Sequence, residues 1–327
     1  MEFNLNLSSF TSESNFHSLD LNKIYDVLII GGGPAGLTAA VYCMRKGLNT
    51  GIIVKDIGGQ VADTATVENY MGYRYISGIE LVNKFKEQVT QFGIDFEENL
   101  YVTKVEHGSI KKILLNDGRL LQAKSLIIAS GKESRKLNIP GEKELTGKGV
   151  AYCAICDAPL FKDKKVVVVG GGNSGIEAAI DLAKVGKSVF VVQFLETLTA
   201  DKILVERLND FTNVEIAYKH EVVEIKGSNT VESVIIKNRD TNDTRDVEAE
   251  GVFVEIGLIP NTDFIKGVVN LNEYGEIIID SACRTSKPGI FAAGDVTSVL
   301  FKQIIVAGGE GAKAALSASD YVLKEHD

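Results

Sequence analysis

Proline is scarce in this 327-residue chain, at 5 residues, whereas glycine reaches 32. Excess glycine without proline points to tight strand–helix turns rather than to linkers or collagen-like repeats. Cysteine is scarce too: 4 residues are too few to staple a chain of this length. Net positive charge is missing. Lys and Arg number 35 against 44 Asp and Glu, a formal charge of −9. Phosphate-rich surfaces would be repelled, which argues against a nucleic-acid or anionic-membrane partner. A signal peptide is missing as well. Met1 to Lys23 is polar, carries Glu2, Glu13 and Asp20, and lacks a basic start and an apolar run. The longest uncharged stretch, Val27 to Met44, is 18 residues. It reaches spanning length, but Gly31-Gly32-Gly33-Pro34 would break such a helix. A cytoplasmic, reducing location is expected. Paired cysteines there serve chemistry more often than structure.

What is present is globular: 45% of residues are hydrophobic and 24% charged. The length suggests about two domains, each with a core of its own. The first 23 residues lack clear periodicity and read as a mobile tail or as a segment lying across the folded body. Tyr25 to Ile30 reads as a buried parallel strand, followed by Gly31–Gly36 and a helix over Leu37–Met44. Gly51–Val54 is a second strand. Ile79 to Phe92 reads as an amphipathic helix with Ile79, Val82, Phe85, Val89 and Phe92 on its inner face. Short strands follow near Leu100–Val105 and Lys111–Leu115, then a turn at Asn116-Asp117-Gly118, then a buried strand over Ser125–Ser130.

The pattern then restarts. Lys165–Val169 is a strand, Gly170–Gly175 a turn, Ile176–Leu182 the start of a helix, and Ser188–Val192 the next strand. Laid over Gly31–Cys43, the segment Gly170–Leu182 matches at 6 of 13 positions, with an offset of 170 − 31 = 139 residues. A period this long means a duplicated domain rather than a solenoid. Each turn has the form G-x-G-x-x-G between strand and helix. The glycines allow the tight turn, the approach of a pyrophosphate and close helix packing, while the helix N-terminus favours the anion. Two such units suggest two dinucleotides, a flavin and a nicotinamide.

Cys153-Ala154-Ile155-Cys156 is followed by Asp157. The spacing fits a redox dithiol, half of a zinc site, or inert buried thiols. Cys43 and Cys283 form no second pair. His17, His107, His220 and His326 are scattered, so no metal site is assigned. Asp157 is read either as a turn cap or as a proton donor to a thiolate or flavin. Cys43 and Cys283 read as packing or surface thiols.

These residues resemble the low-molecular-weight thioredoxin reductases over roughly Tyr25 to Leu323. The resemblance rests on Gly31–Gly36, Gly58-Gly59-Gln60, Val67-Glu68-Asn69, Cys153–Asp157, Gly170–Gly175, Gly289–Asp295 and Lys302-Gln303-Ile304. The second half is still more similar to the flavoprotein subunit of alkyl hydroperoxide reductase, through Cys156–Phe161, Ala200-Asp201-Lys202, Gly275–Asp280 and Gly308–Ala315. That subunit carries an N-terminal thioredoxin-like domain. Only about two dozen residues stand in its place here, so the disulfide partner is expected to be a separate protein.

The resemblance implies an α/β fold of two Rossmann-like, three-layer dinucleotide-binding domains, the second inserted into the first. After the extension 1–23, an FAD domain would comprise 24–131 and 261–327, and a nicotinamide and disulfide domain 132–260. Gly31, Gly33 and Gly36, with Pro34 and Ala35 between them, would face the FAD pyrophosphate. Gly59, Gln60 and Asn69 would lie along the flavin. Gly131, Gly294 and Asp295 join that set, with Lys302, Gln303 and Ile304 near the ring. Gly170, Gly172, Asn173, Ser174, Gly175 and Gln193 would serve the nicotinamide dinucleotide. Cys156 would accept electrons first, Cys153 would attack the partner, and Asp157 would be the acid/base.

The family's members are homodimers whose domains rotate. A thioredoxin-like or glutaredoxin-like partner is implied. NADPH-dependent members carry a His-Arg-Arg run where this chain has Gln193, Phe194 and Leu195, and a further arginine where it has Thr199, and Glu196 adds a like charge. NADH is therefore the expected donor. The alternatives are ferredoxin, as in a ferredoxin-dependent flavin thioredoxin reductase, and a non-catalytic FAD-binding redox sensor.

Overall fold

The computed structural model describes residues 17–324 apart from 63, 65 and 66, and the backbone alone of 155 and 156. The expectations for residues 1–16 and for His326 lie outside the described residues. Residues 17–23 lie on the body. His17 forms a bridge with Asp95, Leu19 is buried, and the Lys23 ammonium is 2.9 Å from the Asp95 carboxylate.

The chain opens with β1 (Ile24–Ile30), α1 (Pro34–Arg45), β2 (Thr50–Ile53) and α2 (Gly78–Thr90). β3 (Asp95–Glu97), β4 (Val102–Glu106), β5 (Lys111–Leu115) and β6 (Leu120–Ile128) follow. Their order in one sheet is β3-β2-β1-β6-β5-β4. β1 is apolar on both faces because both are covered: Val27 and Ile29 enter one core, Leu28 and Ile30 the other.

After β7 (Lys132–Ser134) and β8 (Val150–Ala151) come α3 (Ala154–Asp157), β9 (Lys165–Val169), α4 (Asn173–Val185), β10 (Ser188–Gln193), α5 (Lys202–Leu208) and β11 (Val214–Tyr218). A three-stranded antiparallel sheet, β12 (His220–Lys226), β13 (Ser233–Asn238) and β14 (Thr244–Glu248), precedes β15 (Gly251–Val254). The second parallel sheet has the order β11-β10-β9-β15-β8, again with a core on each face.

The chain returns through β16 (Leu258–Pro260), which pairs antiparallel with β7. β17 (Ile290–Ala292) then adds to β6, and α6 (Ile304–Lys324) closes the fold. The fold is thus the duplicated α/β architecture expected.

On α2 and just past its end, the expected inner face holds at Val82, Phe85, Val89 and Phe92 and fails at one residue: Ile79 is 63% exposed, whereas Leu81 is fully buried. Gly78 is wedged against the Val61 and Thr64 carbonyls, which fixes where the helix begins and turns position 79 outward.

Candidate active site

β1 runs directly into the first glycine turn. Gly31 has φ +117°, and a side chain there would strike the Ala129 carbonyl at the end of β6. A side chain on Gly36 would strike the Gly31 carbonyl, so α1 lies flush on the turn. Gly33 caps α1 with no side-chain hydrogen bond, and Pro34 follows at the first helical position. The helix N-terminus is therefore left without a side-chain acceptor, ready for an anion. The second turn repeats the design between β9 and α4, with Gly172 as the bare cap.

A cavity of about 1540 Å³ opens in front of the first turn. Gly31, Gly33, Pro34, Ala35, Gly59, Gln60, Gly131, Gly294, Asp295, Lys302, Gln303 and Ile304 line it. Gly36 lies behind the turn. Asn69 is outside the lining and donates its Nδ2 to Gln303 Oε1 at 3.2 Å. Tyr152, Cys153 and Asp157 line the same cavity, although more than a hundred residues of sequence separate them from Gly31. Gly170, Gly172, Asn173, Ser174, Gly175 and Gln193 are not in this lining. They lie at the carboxyl ends of β9 and β10.

Cys153 is the N-cap of the one-turn helix α3 and is disulfide-bonded. Asp157 ends that turn. It is buried, makes no side-chain cap, and leaves Oδ1 without a hydrogen-bond partner. Burial pushes its carboxyl up to about 6. The capping role that the sequence allowed is therefore not the one seen. Cys43 and Cys283 are buried free thiols, pushed up by burial to about 12 and about 11. Among the described residues, no group of His, Cys, Asp and Glu is arranged to hold a metal, and no helix is long and apolar enough to cross a membrane.

Sequence reasoning missed three carboxylates. Glu276 takes the ammonium of Lys132, from β7, and that of Lys302 at 3.2 Å. Lys302 also donates to the Thr297 carbonyl at 2.5 Å. Glu310, buried on α6, accepts the Gly294 N–H at 2.9 Å and so holds the loop that carries Asp295. Glu255 follows β15. Burial pushes it up to about 7, against hydrogen bonds from the Ala154 N–H and the Ser174 hydroxyl. It thus connects α3 with the second glycine turn. Glu276 and Glu310 lie within Gly275–Asp280 and Gly308–Ala315, stretches that carry the resemblance, but their roles depend on partners in other segments, and no motif marks Glu255.

FAD is the group the resemblance implies for the large cavity, and the residues fit it. The bare turn suits a pyrophosphate. Burial raises the Asp295 carboxyl, which accepts no hydrogen bond among the described residues and suits hydroxyl donors of a sugar chain.

The family model described as pyridine nucleotide-disulphide oxidoreductase matches residues 25–311. The chain belongs to this family. Within the family, it is 45% identical over 319 residues to the F component of alkyl hydroperoxide reductase from Staphylococcus aureus, covering 97% of this chain and 63% of that protein. It is 44% identical over 300 residues to a protein named NADH dehydrogenase from Ferdinandcohnia aciditolerans, covering 92% of this chain and 58% of that one. The chain thus spans about three-fifths of the length of these curated relatives. Thioredoxin reductase from Streptococcus pyogenes superposes with a TM-score of 0.87 at 41% identity, covering 93% of this chain and 99% of that one.

Proposed function

We propose that this family member is an FAD-dependent disulfide reductase that draws electrons from NADH. It delivers them through Cys153 and Cys156 to a thioredoxin-like or glutaredoxin-like protein. One observation carries the reading: Cys153 and Asp157 open into the same cavity as the first glycine turn. A flavin held at that turn would pass electrons to the cysteine across the shared cavity.

In this reading, 24–131 and 261–327 form the flavin domain, 132–260 the nicotinamide and disulfide domain, and 1–23 an extension. The first turn holds the pyrophosphate, Asp295 the sugar chain, and Lys302, Gln303 and Ile304 the ring. When bound, FAD supplies a two-electron carrier between nicotinamide and disulfide. Cys156 takes the electron pair, which breaks its bond to Cys153. Asp157, shielded from water on the same turn as the two cysteines, keeps a proton and delivers it as their bond is reduced. The Cys153 thiolate then attacks one sulfur of the partner disulfide and releases the other. Cys156 attacks Cys153 in the mixed disulfide, frees the partner and restores the pair. Across the cycle, NADH, one proton and the partner disulfide become NAD⁺ and the partner dithiol. The working unit is a cytoplasmic homodimer.

Gln193 supports NADH. Its Nε2 is committed to the Thr197 carbonyl at 2.6 Å, so its oxygen remains as an acceptor. A ribose 2′-hydroxyl can donate to that oxygen, whereas a 2′-phosphate is repelled by it. The relative named NADH dehydrogenase supports the same donor. Anaerobic stopped-flow reduction of the flavin tests this. NADH is expected to be at least roughly tenfold more efficient than NADPH. The reverse order would overturn the donor, and reduction by ferredoxin alone would replace it.

A further inference from the structure

Beyond Gln193, the carboxyl end of β10 leads into a surface that the reading above does not use. In the second sheet β10 flanks β9 on one side, and β15 and β8 on the other. Cys153 lies just beyond β8. A dinucleotide with its pyrophosphate on the turn after β9 sends its nicotinamide toward the redox centre, so its adenosine half falls over β10.

There the Arg239 guanidinium lies 3.5 Å over the ring of Phe194, which is 48% exposed. Arg239 Nη1 donates to the Phe194 carbonyl at 3.1 Å. The Arg239 backbone N–H donates to Lys219 O at 2.8 Å, and the Lys219 N–H to Leu195 O at 3.0 Å. Three segments, after β10, between β11 and β12 and after β13, are laced together, and the arginine is fixed in place. The neighbouring charges cancel. Lys219 is 2.9 Å from Asp240 and 3.7 Å from Glu196, so Lys219 and Arg239 balance two carboxylates. Such a corner has little pull on a phosphate. What it offers is a flat, preformed stack of guanidinium on aromatic ring.

We propose that Phe194 and Arg239 form the adenine-stacking wall of the dinucleotide site. The inference rests on the reading of Gly170–Gly175 as a dinucleotide turn. Purines stack on aromatic faces and on guanidinium planes, and a lysine ammonium offers no such plane. The wall therefore holds the adenosine half by its base, while Gln193 reads the ribose.

The test is calorimetric titration of the FAD-loaded protein with ADP-ribose, with nicotinamide mononucleotide as control. Arg239→Ala and Phe194→Ala should each weaken ADP-ribose roughly tenfold and leave the mononucleotide unchanged. Arg239→Lys should not restore the loss. Unchanged ADP-ribose affinity in both alanine variants would overturn the wall and leave the dinucleotide site standing, as would full rescue by lysine. No ADP-ribose binding by the unsubstituted protein would overturn the site and the wall together. Both side chains lie near the surface, and the melting temperature checks that each variant folds.

Discussion

At Asp157 a single carboxyl is made useful by burial. Taking it out of water favours the neutral form and pushes its pKa up to about 6. The proton is thus held below that pH and lost as pH rises through it. Stopped-flow transfer from reduced flavin to the cysteine pair should slow as pH rises above about 6. Asp157→Asn should abolish that limb and lower the rate by roughly 10²-fold. A variant that keeps the limb would show that another group moves the proton. The stability sign runs the same way. A raised carboxyl favours the fold at low pH and loses that advantage as pH rises through about 6. Asp157→Asn should therefore melt no lower than the parent above pH 6, which separates a functional acid from a structural one. The Cys153–Asp157 motif was legible in the sequence. That Asp157 lacks a cap partner was not, because burial comes from packing around α3 rather than from its neighbours in the chain.

Among the elements, α2 has the most explicit local signals. Ser77 caps it, and Glu80 reaches back in a reciprocal capping box. Ser77→Ala should destabilise the protein by about 1 kcal/mol. Leu81→Ala, which empties a fully buried site, should cost about 2 to 5 kcal/mol. Chemical denaturation measures both, and a Leu81→Ala change under 1 kcal/mol would contradict the burial of Leu81 on the inner face. The strands and helices around both glycine turns were legible because apolar runs and G-x-G-x-x-G are local patterns. The inner face of α2 was misread at Ile79, because apolar spacing alone admits a neighbouring setting. The contact that chooses the setting, Gly78 against Val61 and Thr64, belongs to a turn before the helix. Leu19 is a similar case. Its burial depends on docking beside β2, where Gly51 leaves room for it.

Across the whole molecule, buried charges tie the crossover strand β7 to the loop that carries Lys302. Glu276 sits between Lys132 and Lys302, and side-chain exposure is 8% at Lys132 and 12% at Glu276. Burial alone would raise Glu276, but its bonds to Lys132, Asn272 and Lys302 outweigh that and hold it below the ordinary carboxylate range. Its stabilising effect is present above the unfolded carboxylate pKa and fades as pH falls through the depressed folded value. Glu276→Gln leaves a buried and a half-buried ammonium short of a charge and should destabilise by roughly 3 kcal/mol at neutral pH. Equal stability in denaturant at that pH would sink this assignment. The stretches that hold Lys302 and Glu276 were legible, but their pairing with Lys132 was not, because 144 residues separate Lys132 from Glu276. The central claim is also one of whole-molecule arrangement: a flavin and a cysteine pair share one cavity and exchange electrons. Anaerobic dithionite titration of the FAD-loaded protein tests it most directly, since it is independent of donor and partner. Two electrons reduce a flavin and two more a disulfide, so the account predicts four electrons per chain, falling to two when Cys153 and Cys156 are both changed to serine. Uptake of two electrons by the unsubstituted protein would contradict it.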